Sequence, residues 1–177
     1  MKGLKRCALP VLIASLVLAV SSAQADVTRT DMQVAARALS FISNPLTGPV
    51  KVGILYSKSS SRSVRQAENL RAMLADGLRV GSLQMSPVLV ELREAADADV
   101  DLFFLTEHIE PNATDTLADN TSAPILCVTT DIDQVRNGAC TIGVRSRPKV
   151  EVFVSMAAAK ASDITFSTVF RVMITEL

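Results

Sequence analysis

Apolar runs typical of β-strands alternate with segments of helical periodicity along most of this 177-residue chain. Two of these runs, Val50–Tyr56 and Asp101–Thr106, are apolar almost throughout rather than at every second position. Uninterrupted apolar strands are typical of parallel sheets, whose helical crossovers cover both faces. The sequence therefore predicts one α/β domain of three layers with a mainly parallel, Rossmann-like sheet, spanning residues 26–177.

The individual elements follow from periodicity and from capping residues. The predicted helices span residues 30–42, 61–80, 112–120, 131–137, 155–161 and 168–175. The predicted strands span residues 50–56, 87–92, 101–106, 124–129, 140–145 and 149–154. We expect Thr30 or Asp31 to cap the first helix and Ser61 or Ser63 to cap the second, which Gly81 ends.

The amino-terminal segment has the three parts of an export signal. Basic residues at Lys2, Lys5 and Arg6 precede the apolar run Ala8–Val20, and Ala23-Gln24-Ala25 forms an A-x-A cleavage site. The run of about 13 residues is shorter than the roughly 20 that a membrane span needs. Residues 1–25 are therefore predicted to be a signal peptide that is cleaved after Ala25, so the mature chain is periplasmic. The alternative is a retained, uncleaved anchor.

Charge and composition argue against nucleic acid as a partner. The chain has 18 basic and 18 acidic residues, and removal of the basic signal leaves it mildly acidic, with no basic cluster. It has no Trp and a single Tyr, so it lacks the aromatic platforms typical of single-strand or sugar binders.

Two cysteines, Cys127 and Cys140, remain in the mature chain. In an oxidising compartment such a pair favours a disulfide, which would stabilise the fold by about 3 kcal/mol for a loop of about 14 residues. The alternative is two small buried apolar side chains. Two cysteines with one distant histidine do not form a zinc site, so no metal is predicted.

Polar residues follow three predicted strands, and the carboxyl ends of parallel strands are where α/β proteins bind ligands. Hydroxyl groups, a lysine and free helix N–H groups in these segments suit a carboxylate or another small anion. The alternative is that the serines and threonines only cap helices and fill turns. The predicted ligand-binding residues are Ser57, Lys58, Ser59, Ser61, Thr106, Glu107, Thr129 and Asp131.

The sequence does not predict catalysis. His108 is the only histidine, and its neighbour Glu107 would point to the opposite face of a strand. Ser57 and Lys58 have the same directional problem, and no H-E-x-x-H, G-x-S-x-G or phosphate-loop motif is present. We therefore expect a non-enzymatic protein without a cofactor.

Two stretches resemble one lobe of the periplasmic substrate-binding proteins of ABC transporters. VKVGILYSKSSSRSVRQAENLRAML resembles the opening strand–loop–helix of that lobe, and DLFFLTEHIEPNATDTLADNTSAPILCVTTD is similar to its next repeating unit. A complete protein of that family has two lobes and about twice this length. The resemblance implies a single lobe and, as one alternative, a small solute-binding component of an uptake system.

The last third of the chain resembles small secreted proteins of the YfiR type. The matching stretches are ILCVTTD, NGACTIGV and VEVFVSMAAAKASDITFSTVFRVMI, although Ser155 stands where that family usually has Asn. The resemblance implies a periplasmic regulator that restrains an inner-membrane diguanylate cyclase or a similar signalling protein. A disulfide, as in YfiR, is compatible with this resemblance.

A single lobe leaves its ligand open on one side, so a homodimer or a membrane partner would be needed to close the site. The candidate surface for this contact is an apolar carboxyl-terminal set, the alternative being a helix packed on its own sheet. The set comprises Phe166, Val169, Phe170, Met173 and Ile174.

Overall fold

The computed structural model describes residues 26–109 and 126–177. The predicted signal peptide, the predicted helix at 112–120 and the first two residues of the predicted strand at 124–129 lie outside these ranges.

The described elements alternate in type for much of the chain. The helices are α1 Arg29–Leu39, α2 Ser61–Leu74, a 3₁₀ helix Leu92–Asp97, α3 Ile132–Arg136, α4 Met156–Ala161 and α5 Thr168–Arg171. The strands are β1 Gly48–Tyr56, β2 Leu78–Val80, β3 Leu83–Glu91, β4 Leu102–Leu105, β5 Cys127–Thr129, β6 Ile142–Arg145, β7 Glu151–Val154 and β8 Thr175–Glu176.

The strands form one 8-stranded sheet in the order β2-β3-β1-β4-β5-β6-β7-β8. Strands β3, β1, β4, β5 and β6 run parallel to one another. Antiparallel pairing occurs where β2 joins β3 and where β7 joins β6. The prediction of an α/β domain with a mainly parallel sheet is confirmed, and the order is compatible with a Rossmann-like arrangement.

Apolar side chains cover both faces of the sheet, as the uninterrupted strands predict. On one face Ile54 and Phe104 lie in a core to which α1 and α2 contribute. On the other face Leu55 and Phe103 lie in a second core with Val135 of α3. Because successive strand residues point to opposite faces, one apolar run supplies both cores.

Helix α2 is shorter than predicted. It ends at Leu74, Gly77 adopts φ 76°, and the chain then forms β2 antiparallel to β3. Leu78 continues the i+4 spacing of Leu70 and Leu74 and is buried, so helical periodicity extends through it although the helix has ended. The prediction that Gly81 ends this helix is wrong, because Gly81 lies in the turn between β2 and β3 at φ 58°.

The helix caps also differ from prediction by one to three residues. The N-cap of α1 is Thr28, and Asp31 is the third helical residue of a capping box. The N-cap of α2 is Ser60, whose hydroxyl accepts from Ser63 N at 3.2 Å. Ser155 caps α4, which gives a structural reason for the serine at that position.

Only the first four residues of the predicted helix at 168–175 are helical, and a short strand follows. Helix α5 ends at Arg171, and the chain then pairs as β8 with the last two residues of β7. Several residues here are β-branched, and these side chains favour extended backbone over helix. Phe170 of α5 stacks on Phe41 at 4.9 Å, which attaches this segment to the end of α1.

The predicted disulfide between Cys127 and Cys140 is confirmed, with a Cα–Cα distance of 5.1 Å. Both residues are buried. The bond ties the first residue of β5 to the segment that precedes β6, across the connection that contains α3.

Candidate functional site

A cleft of about 380 Å³ opens at the carboxyl ends of β4, β5 and β6, beside the amino end of α1. Charged side chains dominate its lining, and carboxylates outnumber guanidinium groups. These side chains are Asp26, Asp31, Glu107, Asp131, Asp133, Arg136, Arg145 and Arg147.

Buried hydroxyl groups fix the strand ends behind this cleft. Thr106 Oγ1 donates to the carbonyl oxygen of Leu55 at 2.9 Å and lies 2.6 Å from Ser63 Oγ. Ser63 Oγ in turn accepts from Ser57 N at 2.9 Å. Thr106 and Ser63 are both fully buried, so this chain of hydrogen bonds joins β1, β4 and α2 and does not face solvent.

A second buried set of hydrogen bonds holds β5 and α3. Thr129 Oγ1 donates to Gln134 Oε1 at 2.7 Å, and Gln134 Nε2 donates to the carbonyl oxygen of Thr106 at 2.9 Å. Asp131 N donates to Thr129 Oγ1 at 3.0 Å. The hydroxyls of Thr106 and Thr129, two predicted binding residues, are thus engaged inside the protein and position the residues that follow them.

Glu107 and Asp131 are the predicted site residues that line the cleft. Glu107 is held by its backbone N–H, which donates to Gln66 Oε1 at 2.6 Å. Burial raises the pKa of the Glu107 carboxyl, and the negative charge of Asp131 raises it further, against smaller opposing effects of His108 and Thr130. The cleft therefore brings two carboxyl groups close enough to repel each other.

Asp31 is a buried carboxylate of the cleft, and the sequence predicts it only as a possible helix cap. Its Oδ2 accepts from Thr28 N at 2.8 Å, and its Oδ1 accepts from Ser146 N at 2.9 Å. Burial raises its pKa, but the hydrogen bonds from Thr28 and Ser146 outweigh burial, so the net pKa is lowered. The spacing of Thr28 and Asp31 matches a capping box, a signal by which this residue can be found from sequence.

The three arginines of the cleft were not among the binding residues predicted from the sequence. Arg136 forms an ion pair with Asp133 one helical turn away, and Arg145 pairs with Glu151 at 3.3 Å. Arg147 is exposed and makes no ion pair with any residue that the structure describes. No motif marks these residues, because Arg136 belongs to α3 whereas Arg145 and Arg147 belong to β6 and the β6–β7 connection.

The serine loop lies outside the cleft. Ser57 Oγ is 2.6 Å from Ser59 Oγ, while Lys58 and Ser61 are exposed, and none of the four residues lines the cavity. The predicted binding residues are therefore divided among the cleft wall, the buried hydroxyl sets and this separate loop.

His108 is exposed, with φ 60°, and its Nε2 lies 3.4 Å from Arg62 Nη1. It is not among the residues that line the cleft.

The apolar carboxyl-terminal set divides into inward and outward side chains. Phe170 is buried, and Phe166 and Ile174 are partly buried against the core. Val169, Val172 and Met173 are 66%, 82% and 56% exposed, respectively. We refer to these three residues as the C-terminal apolar surface.

Within residues 26–109 and 126–177, no group of three or more His, Cys, Asp or Glu side chains is arranged to hold a metal ion. In the same ranges, no helix has the length and apolar character that a bilayer crossing requires.

Comparison with known proteins found no family model and no curated protein that matches the chain.

Proposed function

We propose that the protein is exported to the periplasm, is processed after Ala25, and acts without catalysis by binding a protein at the inner membrane. In this role it regulates a membrane signalling protein, such as a diguanylate cyclase. The observation that carries the proposal is the C-terminal apolar surface, whose valines and methionine are exposed in a chain with two buried apolar cores. Clustered exposed apolar side chains are typical of protein-binding sites.

The disulfide and the site chemistry support this proposal. A bond between Cys127 and Cys140 suits an oxidising compartment such as the periplasm. The buried hydroxyls of Ser63, Thr106 and Thr129 are held by protein hydrogen bonds and do not face the cleft. Among the described residues, the hydrogen-bond neighbour of the His108 ring is the cation Arg62, not a carboxylate that would orient the ring as a general base.

The partner is identified by photocrosslinking in intact cells of the native host. A photoreactive amino acid at position 172, the most exposed residue of the C-terminal apolar surface, is expected to crosslink an inner-membrane protein with a periplasmic segment. Mass spectrometry of the crosslinked band identifies it. Crosslinks only to a second copy of this chain would show a homodimer surface instead, and the absence of any specific crosslink would contradict the proposal.

A matched pair of variants tests whether the surface does the binding. Val169→Lys is expected to abolish the crosslink from position 172, because a charge in a desolvated apolar contact costs several kcal/mol. Val88→Lys is the control, since Val88 is also exposed, at 36%, but lies in β3, which five strands separate from β8. Both variants should unfold at the wild-type temperature, which shows that the fold is retained.

A second candidate function is the binding of a small solute in the cleft. Its volume of about 380 Å³ lies within the range of small-molecule sites, and it presents groups of both charge signs. Because carboxylates outnumber guanidinium groups, this lining favours a ligand with a cationic group over the simple anion that the sequence suggests. Thermal-shift screening of amines, amino acids and anions tests this, and a shift that Asp131→Asn removes would support solute binding.

A further inference from the structure

The chain is anchored from the second residue after the predicted cleavage site. Val27 is 7% exposed and lies in the main core. Thr28 then donates to Asp31 Oδ2 through both its backbone N–H, at 2.8 Å, and its hydroxyl, at 2.6 Å. These contacts anchor the chain from Val27 onward, and the residue before it, the exposed Asp26, lines the cleft.

The cleft that Asp26 lines takes its charged groups from several elements. Asp31 belongs to α1, Glu107 follows β4, and the β6–β7 connection contributes cations. The remaining charges are those of Asp131, Asp133, Arg136, Arg145 and Arg147. Two of the guanidinium groups are already paired, Arg136 with Asp133 and Arg145 with Glu151, so the cleft lacks positive charge to balance its carboxylates.

We infer that signal-peptide removal gives this cleft its missing cation, because the new α-ammonium group of Asp26 forms within the cleft wall. This inference rests on the proposed export and processing after Ala25. Before cleavage, the nitrogen of residue 26 belongs to a neutral peptide bond. Hydrolysis by one water molecule breaks the Ala25–Asp26 bond, leaving a carboxylate on Ala25 and an ammonium group on Asp26.

The consequence is that the binding site differs between precursor and mature protein. In the precursor the cleft carboxylates repel one another without this charge. In the mature protein the ammonium group lies among them and offsets that repulsion. The cleft therefore reaches its final charge only after export, so a ligand selected by charge would bind precursor and mature forms differently.

The pH dependence of the stabilisation follows from the sign of the charge. Surrounding carboxylates favour the protonated amine, so the folded-state pKa of the terminus should lie above its ordinary range of about 7.7–8.0. The added stability is fully present below that range and is lost as the pH rises through the folded-state pKa.

The test compares two forms of the periplasmically produced protein. Intact mass first establishes that the mature chain begins at Asp26. The second form carries Gly-Ser-Gly-Ser before Asp26, which allows the amine to move up to about 14 Å away, beyond the Debye length of about 8 Å at physiological salt. We expect the amine pKa of the mature form, titrated by NMR, to exceed about 8.0 and that of the extended form to be ordinary. The mature form should also melt at a higher temperature at pH 7 but not at pH 10.

Carboxylate variants identify the groups responsible. Asp131→Asn should lower the amine pKa of the mature form, while Asp76→Asn, an exposed residue after α2, should leave it unchanged. An ordinary amine pKa in the mature form, equal to that in the extended form, would overturn the inference, as would a mature chain that begins at another residue. Crosslinking from position 172 does not depend on the amine, so it reports separately on the proposed function.

Discussion

Asp31 joins the first turn of α1 to the β6–β7 connection through hydrogen bonds to Thr28 and Ser146. Its pKa is lowered, so its stabilisation is present above the unfolded value near 3.8 and is lost as the pH falls through the folded-state pKa. Asp31→Asn should therefore cost about 1–2 kcal/mol of unfolding free energy at pH 7 and less at pH 3.

Urea unfolding at both pH values measures this effect. Asp133→Asn is the matched control within the same cleft, because the side chain of Asp133 is 76% exposed and its ion pair with Arg136 is solvated. An Asp31→Asn loss that is the same at pH 3 and pH 7 would show that the charge of Asp31 contributes nothing.

Substitution of Glu107 should change the stability in the opposite direction to substitution of Asp31. Burial and the charge of Asp131 raise its pKa, so the stability associated with its protonated form is lost as the pH rises through the folded-state pKa. Glu107→Gln removes the cost of placing a charged carboxylate in a partly buried site beside Asp131. It should raise the unfolding free energy at pH 7 by less than about 1 kcal/mol, since solvent screens a half-exposed group. The gain should disappear below pH 4, as thermal unfolding across the range will show. A loss of stability at pH 7 would indicate a structural role instead.

The sequence correctly predicts that Glu107 and Asp131 follow the ends of strands, because parallel strands place their carboxyl ends on the same side of the sheet. It did not distinguish them from Thr106 and Thr129, whose hydroxyls turn inward. Whether a polar side chain after a strand points to the cleft or to the interior depends on partners such as Ser63 and Gln134, which neighbouring elements supply.

Gly143 of β6 determines how closely α3 approaches the sheet. A Cβ at this position would lie 2.7 Å from Val135 Cγ2 and 2.9 Å from Ile132 Cδ1. Gly143→Ala should therefore destabilise the protein by about 1–3 kcal/mol, as expected for overpacking.

A double-mutant cycle tests this contact between elements. Val135→Ala removes the closest methyl group and should itself cost about 0.5–3 kcal/mol through the cavity it leaves. The double variant should be more stable than the sum of the two losses predicts, by at least 0.5 kcal/mol. Strict additivity in urea unfolding would contradict direct contact between the two positions.

Most elements were predictable because buried strands and amphipathic helices carry strong periodicity. A prediction of secondary structure fails where the apolar spacing suits both a helix and a strand. Leu78 is an example, because it continues the i+4 pattern of α2 but is buried in β2. Strand β8 was missed for a different reason. Its two residues are exposed, and their pairing with Phe153 and Val154 is a long-range contact without a local signal.

The Cys127–Cys140 disulfide acts on the whole molecule through the unfolded chain. Replacing both cysteines with alanine should lower the unfolding free energy by about 2–4 kcal/mol, because the unfolded ensemble gains conformational entropy. Thermal or urea unfolding measures the loss. Reduction of the wild-type protein by dithiothreitol is the control and should give a similar loss; an unchanged midpoint in both cases would show that the bond adds no stability.

For the whole molecule, the α/β class and the mainly parallel sheet follow from the sequence, since parallel strands need crossover connections, which are usually helical. The position of the cleft does not follow, because it requires α1 to lie beside β6, far along the chain. The contact between Asp31 and Ser146, 115 residues apart, shows why local patterns do not reveal it.

Helix α1 connects the cleft with the carboxyl-terminal segment. Its first turn is anchored beside the cleft by Asp31, and just beyond its last turn Phe41 stacks on Phe170, next to the C-terminal apolar surface. A protein that displaces Phe170 would act beside one end of a helix whose first turn borders the cavity. Thermodynamic linkage then requires reciprocity: whatever change in affinity a solute imposes on a docked protein, that protein must impose equally on the solute.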